Sequence, residues 1–212
     1  MRVQILATEH WGLLALRSMT WSEVMSRITI HLTVASAALV VLALVVQSSG
    51  FGTGFHVLSI GLAAVVLILG TLTGVRVRSA SSEDRAAIIG MNRLRAAYLS
   101  LDPTLTDYLV TSCHDDDAGV MRRATLGAPR HPVAHVLGST NLFMTAVNTI
   151  VAGTLGALIA SAAGWNPAQI TVAGLLAALG YLAPMLYLAR RSFGDLPLPS
   201  RFPHDTTVGG PQ

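Results

Sequence analysis

The stretch ITIHLTVASAALVVLALVVQSSGFGTGFHVLSIGLAAVVLILGTLTGV, residues 28–75, holds no Asp, Glu, Lys or Arg across 48 positions. One bilayer crossing takes about 20 apolar residues, so this run is too long for a single span and long enough for two. It breaks naturally at Ser48-Ser49-Gly50-Phe51-Gly52-Thr53-Gly54, which is polar and glycine-rich. A second charge-free run, residues 131–189, divides in the same way at Gly164-Trp165-Asn166-Pro167, a turn signal whose Trp suits a membrane interface. The sequence therefore predicts four transmembrane helices, near 28–47, 56–75, 140–163 and 169–189.

The charges give the orientation. All 25 charged residues of the 212-residue chain fall in 1–27, 76–130 and 190–212. Arg27, Arg76, Arg78, Arg130, Arg190 and Arg191 flank one side of the expected spans, which places both termini and the long loop in the cytoplasm. Two short uncharged turns are left on the outer face, too little for an external receptor domain. Composition agrees: 52% of residues are hydrophobic and 12% charged, against about 25% charged in soluble domains. A soluble fold with buried hairpins is the alternative, and four spans of this length weigh against it. A cleaved signal peptide is not expected, because only five residues separate Arg2 from Thr8-Glu9-His10. A single cysteine rules out an internal disulfide.

The expected fold class is an all-α integral membrane protein: four transmembrane helices as two hairpins, with a small helical cytoplasmic layer. Its parts are an amphipathic N-terminal segment (1–27), a first hairpin (28–75), a helical loop (76–138), a second hairpin (139–189) and a flexible tail (190–212). Thr20-Trp21-Ser22-Glu23 reads as a capping box that starts a helix running into the first span. Before it, Ile5, Leu6, Trp11, Leu13, Leu14 and Leu16 suit either the headgroup layer or packing on the loop. In the loop, Ser81–Asp84 resembles a second cap. Ala87, Met91, Leu94, Tyr98 and Leu101 then share one helical face, with Arg85, Asn92, Arg93 and Arg95 off it. Asp102-Pro103 ends that helix. Thr104–Asp107 opens a short helix toward Cys113, and Asp117 caps a last one that Gly127 ends. Pro129 and Pro132 mark the return to the membrane, and Pro197, Pro199, Pro203 and Pro211 mark the tail.

The densest group of chemistry-bearing residues is Cys113-His114-Asp115-Asp116-Asp117. Cys, His and carboxylate are metal ligands, and His131 and His135 follow in the same loop. The candidate metal ligands are therefore Cys113, His114, Asp116, His131 and His135. Adjacent residues cannot all face one ion, so a solvated helix junction capped by Asp117 is the plainer reading. His31 and His56 fall at opposite ends of their spans, about 30 Å apart, which excludes them as a haem pair. His31 with His135 stays geometrically open. No cofactor is implied. The spans carry no acid or base, against what coupled transport usually requires. Asn141, Thr145, Asn148 and Thr149 share one face of the third span. Such a stripe lines a pore or, more commonly, bonds helices together. Small residues at Gly70 and Gly74, and at Gly153, Gly156, Ala160 and Gly164, allow close helix packing within the chain or between copies. Pro184 kinks the fourth span. No Walker, GxSxG, HExxH or dinucleotide motif is present. The loop balances eight Arg against seven acids, so its charge is no nucleic-acid footprint.

The runs Glu9–Trp21, Gly90–Leu99 and His114–Asp117 resemble an uncharacterised family of four-span bacterial inner-membrane proteins. The resemblance implies a bacterial plasma-membrane location and carries no catalytic residue. The layout of N-terminal helix, two-span hairpin and following helix is also similar to small two-span effectors of the SLATT type, from which the second hairpin departs. Two functions follow as expectations. The first is a non-enzymatic accessory or scaffold protein that engages a partner through its cytoplasmic helices. The second is a homo-oligomeric channel lined by the Asn141–Thr149 face. The expected partners are the lipid bilayer and either further copies of the chain or another membrane protein.

Overall fold

The computed structural model describes residues 1–124, 139–192 and 198–204. Among them the elements are α1 (Arg2–Ser49), α2 (Thr53–Leu101), a 3-10 turn (Pro103–Tyr108), α3 (Asp117–Ala124), α4 (Thr140–Ala162) and α5 (Pro167–Ser192). The described residues are helical with no strand, and α1, α2, α4 and α5 are each long and apolar enough to cross a membrane. Gly127, Pro129, Arg130, His131, Pro132, His135, Pro197 and Pro211, all used in the sequence reading, lie outside the described residues.

Two of the expected helix starts are absent. α1 passes unbroken through Thr20–Glu23, and α2 through Ser81–Asp84. Both runs look like caps, but their side chains are engaged elsewhere. Thr20 is buried. Trp21 Nε1 donates to Asp84 at 3.0 Å. Glu23 accepts from Arg27 and Arg76, each at 2.8 Å. A capping motif starts a helix only where the chain before it is not already helical, and here it is.

The chain divides into two compact units. One comprises Glu23–Arg78 and Val136–Gly194, the other Met1–Ser22, Ser79–His135 and Asp195–Gln212. In the first unit, the turn between α1 and α2 rests on Gly50 at φ +68°, a left-handed conformation that favours glycine. The turn between α4 and α5 uses Gly164 at φ +76°. Beyond it, the Gln169 N–H donates to Asn166 Oδ1 at 2.9 Å and the Asn166 N–H to Gln169 Oε1 at 3.1 Å. That is a reciprocal capping box, with Pro167 at the first helical position. The small-residue ridge of α4 is spent inside the chain. A Cβ on Gly153 would stand 3.2 Å from the Gly174 carbonyl oxygen, and one on Gly156 3.1 Å from the Ala173 oxygen. Side-chain bonds tie α2 to both partners: Thr71 Oγ1 lies 3.1 Å from Tyr181 Oη, and His56 Nε2 3.3 Å from Ser161 Oγ. Leu39, Leu44, Ile68, Leu72, Ile150, Leu175, Leu176 and Leu179 are exposed, an apolar surface of the kind lipid covers.

In the second unit, Ile88 and Ile89 of α2 pack with Val120 of α3. Ala80, Ala87, Met91 and Leu94 are also buried. The expected stripe holds for Ala87, Met91 and Leu94, but Leu101 is exposed and Asn92 is fully buried. The buried face of α2 is wider than one stripe because the chain from Cys113 to α3 covers a second side of it. Leu13 of α1 closes on Gly90, where a Cβ would stand 3.0 Å from its Cδ1. His10 stacks on Tyr98 with ring centroids 6.2 Å apart.

Candidate functional site: the Asp115 turn and a buried polar group

The expected metal-ligand run forms a turn, and its carboxylates point to different partners. Asn92 Nδ2 donates to the His114 carbonyl at 2.7 Å. Gly119 makes this possible, since a Cβ there would fall on that same carbonyl. The Gly119 N–H donates to Asp116 Oδ1 at 2.8 Å, so Asp116, rather than the expected Asp117, caps α3. Asp117 is exposed and lies 3.8 Å from Arg85.

Asp115 is fully buried. Its carboxylate accepts from Arg93 Nε at 2.8 Å, Ser200 Oγ at 2.7 Å, the Arg201 N–H at 2.8 Å and the Phe202 N–H at 2.7 Å. Its own N–H donates to the Phe202 carbonyl at 3.2 Å. Arg93 Nη2 donates to the Pro199 carbonyl, and the His204 N–H donates to Asp116 Oδ2 at 2.7 Å. The His114 and His204 rings meet edge to face, with centroids 4.2 Å apart. Residues 199–204 of the tail are thus bonded to this turn. Burial pushes the Asp115 carboxyl up, but the bonds from Arg201, Ser200, Arg93 and Phe202 outweigh it and hold it below the usual carboxylate range. Asp116 is shifted the same way: burial opposes, and the His204 and Gly119 N–H groups prevail.

Among the described residues no three of His, Cys, Asp and Glu come together closely enough to hold an ion. Cys113 is free and half-buried; His131 and His135 lie outside the described residues.

The second polar group lies in the unit of Glu23–Arg78 and Val136–Gly194. His31 of α1 and Asn148 of α4 are buried and meet over Gly70 of α2. The position a Gly70 Cβ would take falls on Asn148 Oδ1 and 2.7 Å from His31 Cε1. Among the described residues, neither ring nitrogen of His31 nor Asn148 Oδ1 has a hydrogen-bond partner, and Asn141 Oδ1 is likewise buried and unpartnered. Thr145 and Thr149 point to their own backbone, donating to the Asn141 and Thr145 carbonyls at 2.8 and 2.7 Å. The four-residue stripe is therefore uneven: Asn148 faces α2, while both threonine hydroxyls are satisfied within α4. His56 stands apart from His31, its ring 3.1 Å from the Gly52 carbonyl.

Sequence reasoning missed the His31–Gly70–Asn148 group, although a His, a Gly and an Asn inside otherwise apolar spans were a signal for it. It also missed the grip of Asp115 on residues 199–202. Apart from the Ser200 hydroxyl, that grip uses backbone N–H and C=O groups, which every sequence carries.

The fold is all-helical among the described residues, with four helices long and apolar enough to cross a membrane and a helical unit in which the Asp115 carboxylate is buried. No family model, no curated protein and no solved structure matches the chain.

Proposed function

We propose that the chain is a non-enzymatic accessory or scaffold protein of a bacterial inner membrane, engaging a partner through cytoplasmic helices. The observation that carries this reading is the commitment of Asp115 to the chain's own 199–202 segment. The densest cluster of reactive side chains thereby binds peptide groups instead of being assembled around a substrate. Two features add support. The arginines that flank the spans orient both termini and the loop inward, with two apolar hairpins between them. Tyr108, at the end of the 3-10 turn, is 78% exposed, and an exposed tyrosine is of the residue type that anchors protein contacts. Native mass spectrometry of the gently extracted full-length protein tests the reading. A defined complex with a second protein is the expected result. A closed assembly of four or more copies and nothing else would overturn it.

A homo-oligomeric channel is the second reading, favoured by the buried, unpartnered Asn141 and Asn148 oxygens. Asn148→Leu and Thr145→Val separate the two. A packing role predicts lost folding or assembly, chiefly for Asn148; a pore-lining role predicts altered conductance with assembly intact.

A further inference from the structure

We infer that the Asp115 turn is a peptide-recognition site, and that residues 199–204 are a detachable ligand occupying it in cis. The geometry is that of a built site. One fully buried carboxylate takes two consecutive backbone N–H groups, those of Arg201 and Phe202, together with the Ser200 hydroxyl. Arg93 grips the preceding Pro199 carbonyl, the Asp115 N–H bonds the Phe202 carbonyl, and Asp116 takes the His204 N–H. The class of ligand follows from these atoms: a short peptide that bends just after a serine, so that the serine hydroxyl and the two following amides face one carboxylate. Successive backbone N–H groups in a bend form a concavity that binds an anionic group, and here the anion is the Asp115 carboxylate.

The reason to regard the segment as detachable is its apolar side chains. Leu198 and Phe202 remain 36% and 44% exposed, so neither is sealed from water and each holds the segment less firmly than a core side chain would. The attachment is polar and centred on one residue. Tethered to the chain, the segment competes at an effective concentration on the order of millimolar, and a matching segment supplied in trans remakes the bonds to Asp115, Arg93 and Asp116 that the chain's own segment gives up. This deepens the accessory reading by naming the kind of partner segment the site takes, and it rests on that reading only for its use in the cell.

The test uses the full chain and a fluorescent peptide of sequence LPSRFPH, matching residues 198–204. Phe202→Pro removes one of the two amides from the chain's own tail, and Arg201→Pro removes the other; helical circular dichroism and monodispersity establish that each variant is folded. The expected result is peptide binding to either variant roughly tenfold or more tighter than to the wild-type chain, abolished when the Arg201 and Phe202 amides of the peptide are N-methylated. Equal binding to wild type and variants, no binding to any of them, or undiminished binding of the methylated peptide would overturn the inference. The assay reads the site alone, so its failure is distinct from the absence of a partner protein in the extracted complex.

Discussion

Asn148 on α4 stands over Gly70 on α2 so closely that a single methyl group at residue 70 would occupy the place of its carboxamide oxygen. Gly70→Ala must push back a side chain that is already buried, with His31 beside it. Overpacking of this kind costs about 1–3 kcal/mol. The paired control is Gly61→Ala on the same helix, where an added Cβ meets nothing within 4 Å. Melting in detergent should show a lowered midpoint for Gly70→Ala and little change for Gly61→Ala. Equal midpoints for the two variants would mean that this close approach is absent.

Gly119 meets backbone where Gly70 meets side chains. Its Cβ would fall on the His114 carbonyl, which also accepts from Asn92. A carbonyl cannot swing aside as a side chain end does, so Gly119→Ala should displace the whole turn and with it the Asp115 carboxylate. Limited proteolysis is the readout: cleavage within 198–204 should be several times faster than in wild type, while the four long apolar helices stay protected.

Asp84 joins α1 to α2 through Arg17 and the Trp21 indole, the latter at 3.0 Å. Its side chain is 14% exposed, and that of Arg17 36%, so water screens part of the ion pair. Asp84→Ala leaves both donors without this acceptor at a cost of about 1 kcal/mol. Asp84→Asn keeps an acceptor for the indole and should recover part of the loss. Hydrogen exchange of the α1 amides near Trp21 measures both, and identical protection in the two variants would argue that the indole bond contributes nothing.

What the sequence made legible was whatever depends on composition along one segment. The charge-free runs located all four apolar helices, and the Gly164–Pro167 turn fell where α4 gives way to α5. Local motifs fared less well. Thr20–Glu23 and Ser81–Asp84 have the residues of helix starts, yet both lie inside continuous helices because their side chains serve α1–α2 pairing. Asp117 has the look of a cap, but its neighbour Asp116 does the capping; a shift of one residue is beyond what spacing resolves. The stripe on α2 was half right, since a face covered by a loop from the same chain carries no periodic signal. The contacts that define the two polar sites join residues 78 and 85 positions apart, as in Gly70 with Asn148 and Asp115 with Ser200. Only the folded chain brings such pairs together.

Acid should loosen the Asp115 attachment, and the sign follows from the direction of the shift. The carboxyl lies below its ordinary value of 3.8 in the folded chain, so in acid the detached state binds the extra proton. The stabilisation is complete above about pH 5 and is lost as pH falls through 3.8 toward the folded value. Glu23 behaves likewise in the other unit: its carboxyl is lowered from 4.5 to about 2, chiefly by the hydrogen bond from Arg76, so that contact weakens between those two values. Protease access to residues 198–204 should therefore be the same at pH 7 and pH 5 and should rise at pH 3. Asp115→Asn, which has no carboxyl to titrate there, should start from faster cleavage and show a much flatter profile after correction for the protease's own pH dependence. A rise in wild-type cleavage already complete between pH 7 and pH 5 would instead assign the attachment to a group that titrates near neutrality and remove Asp115 from its centre.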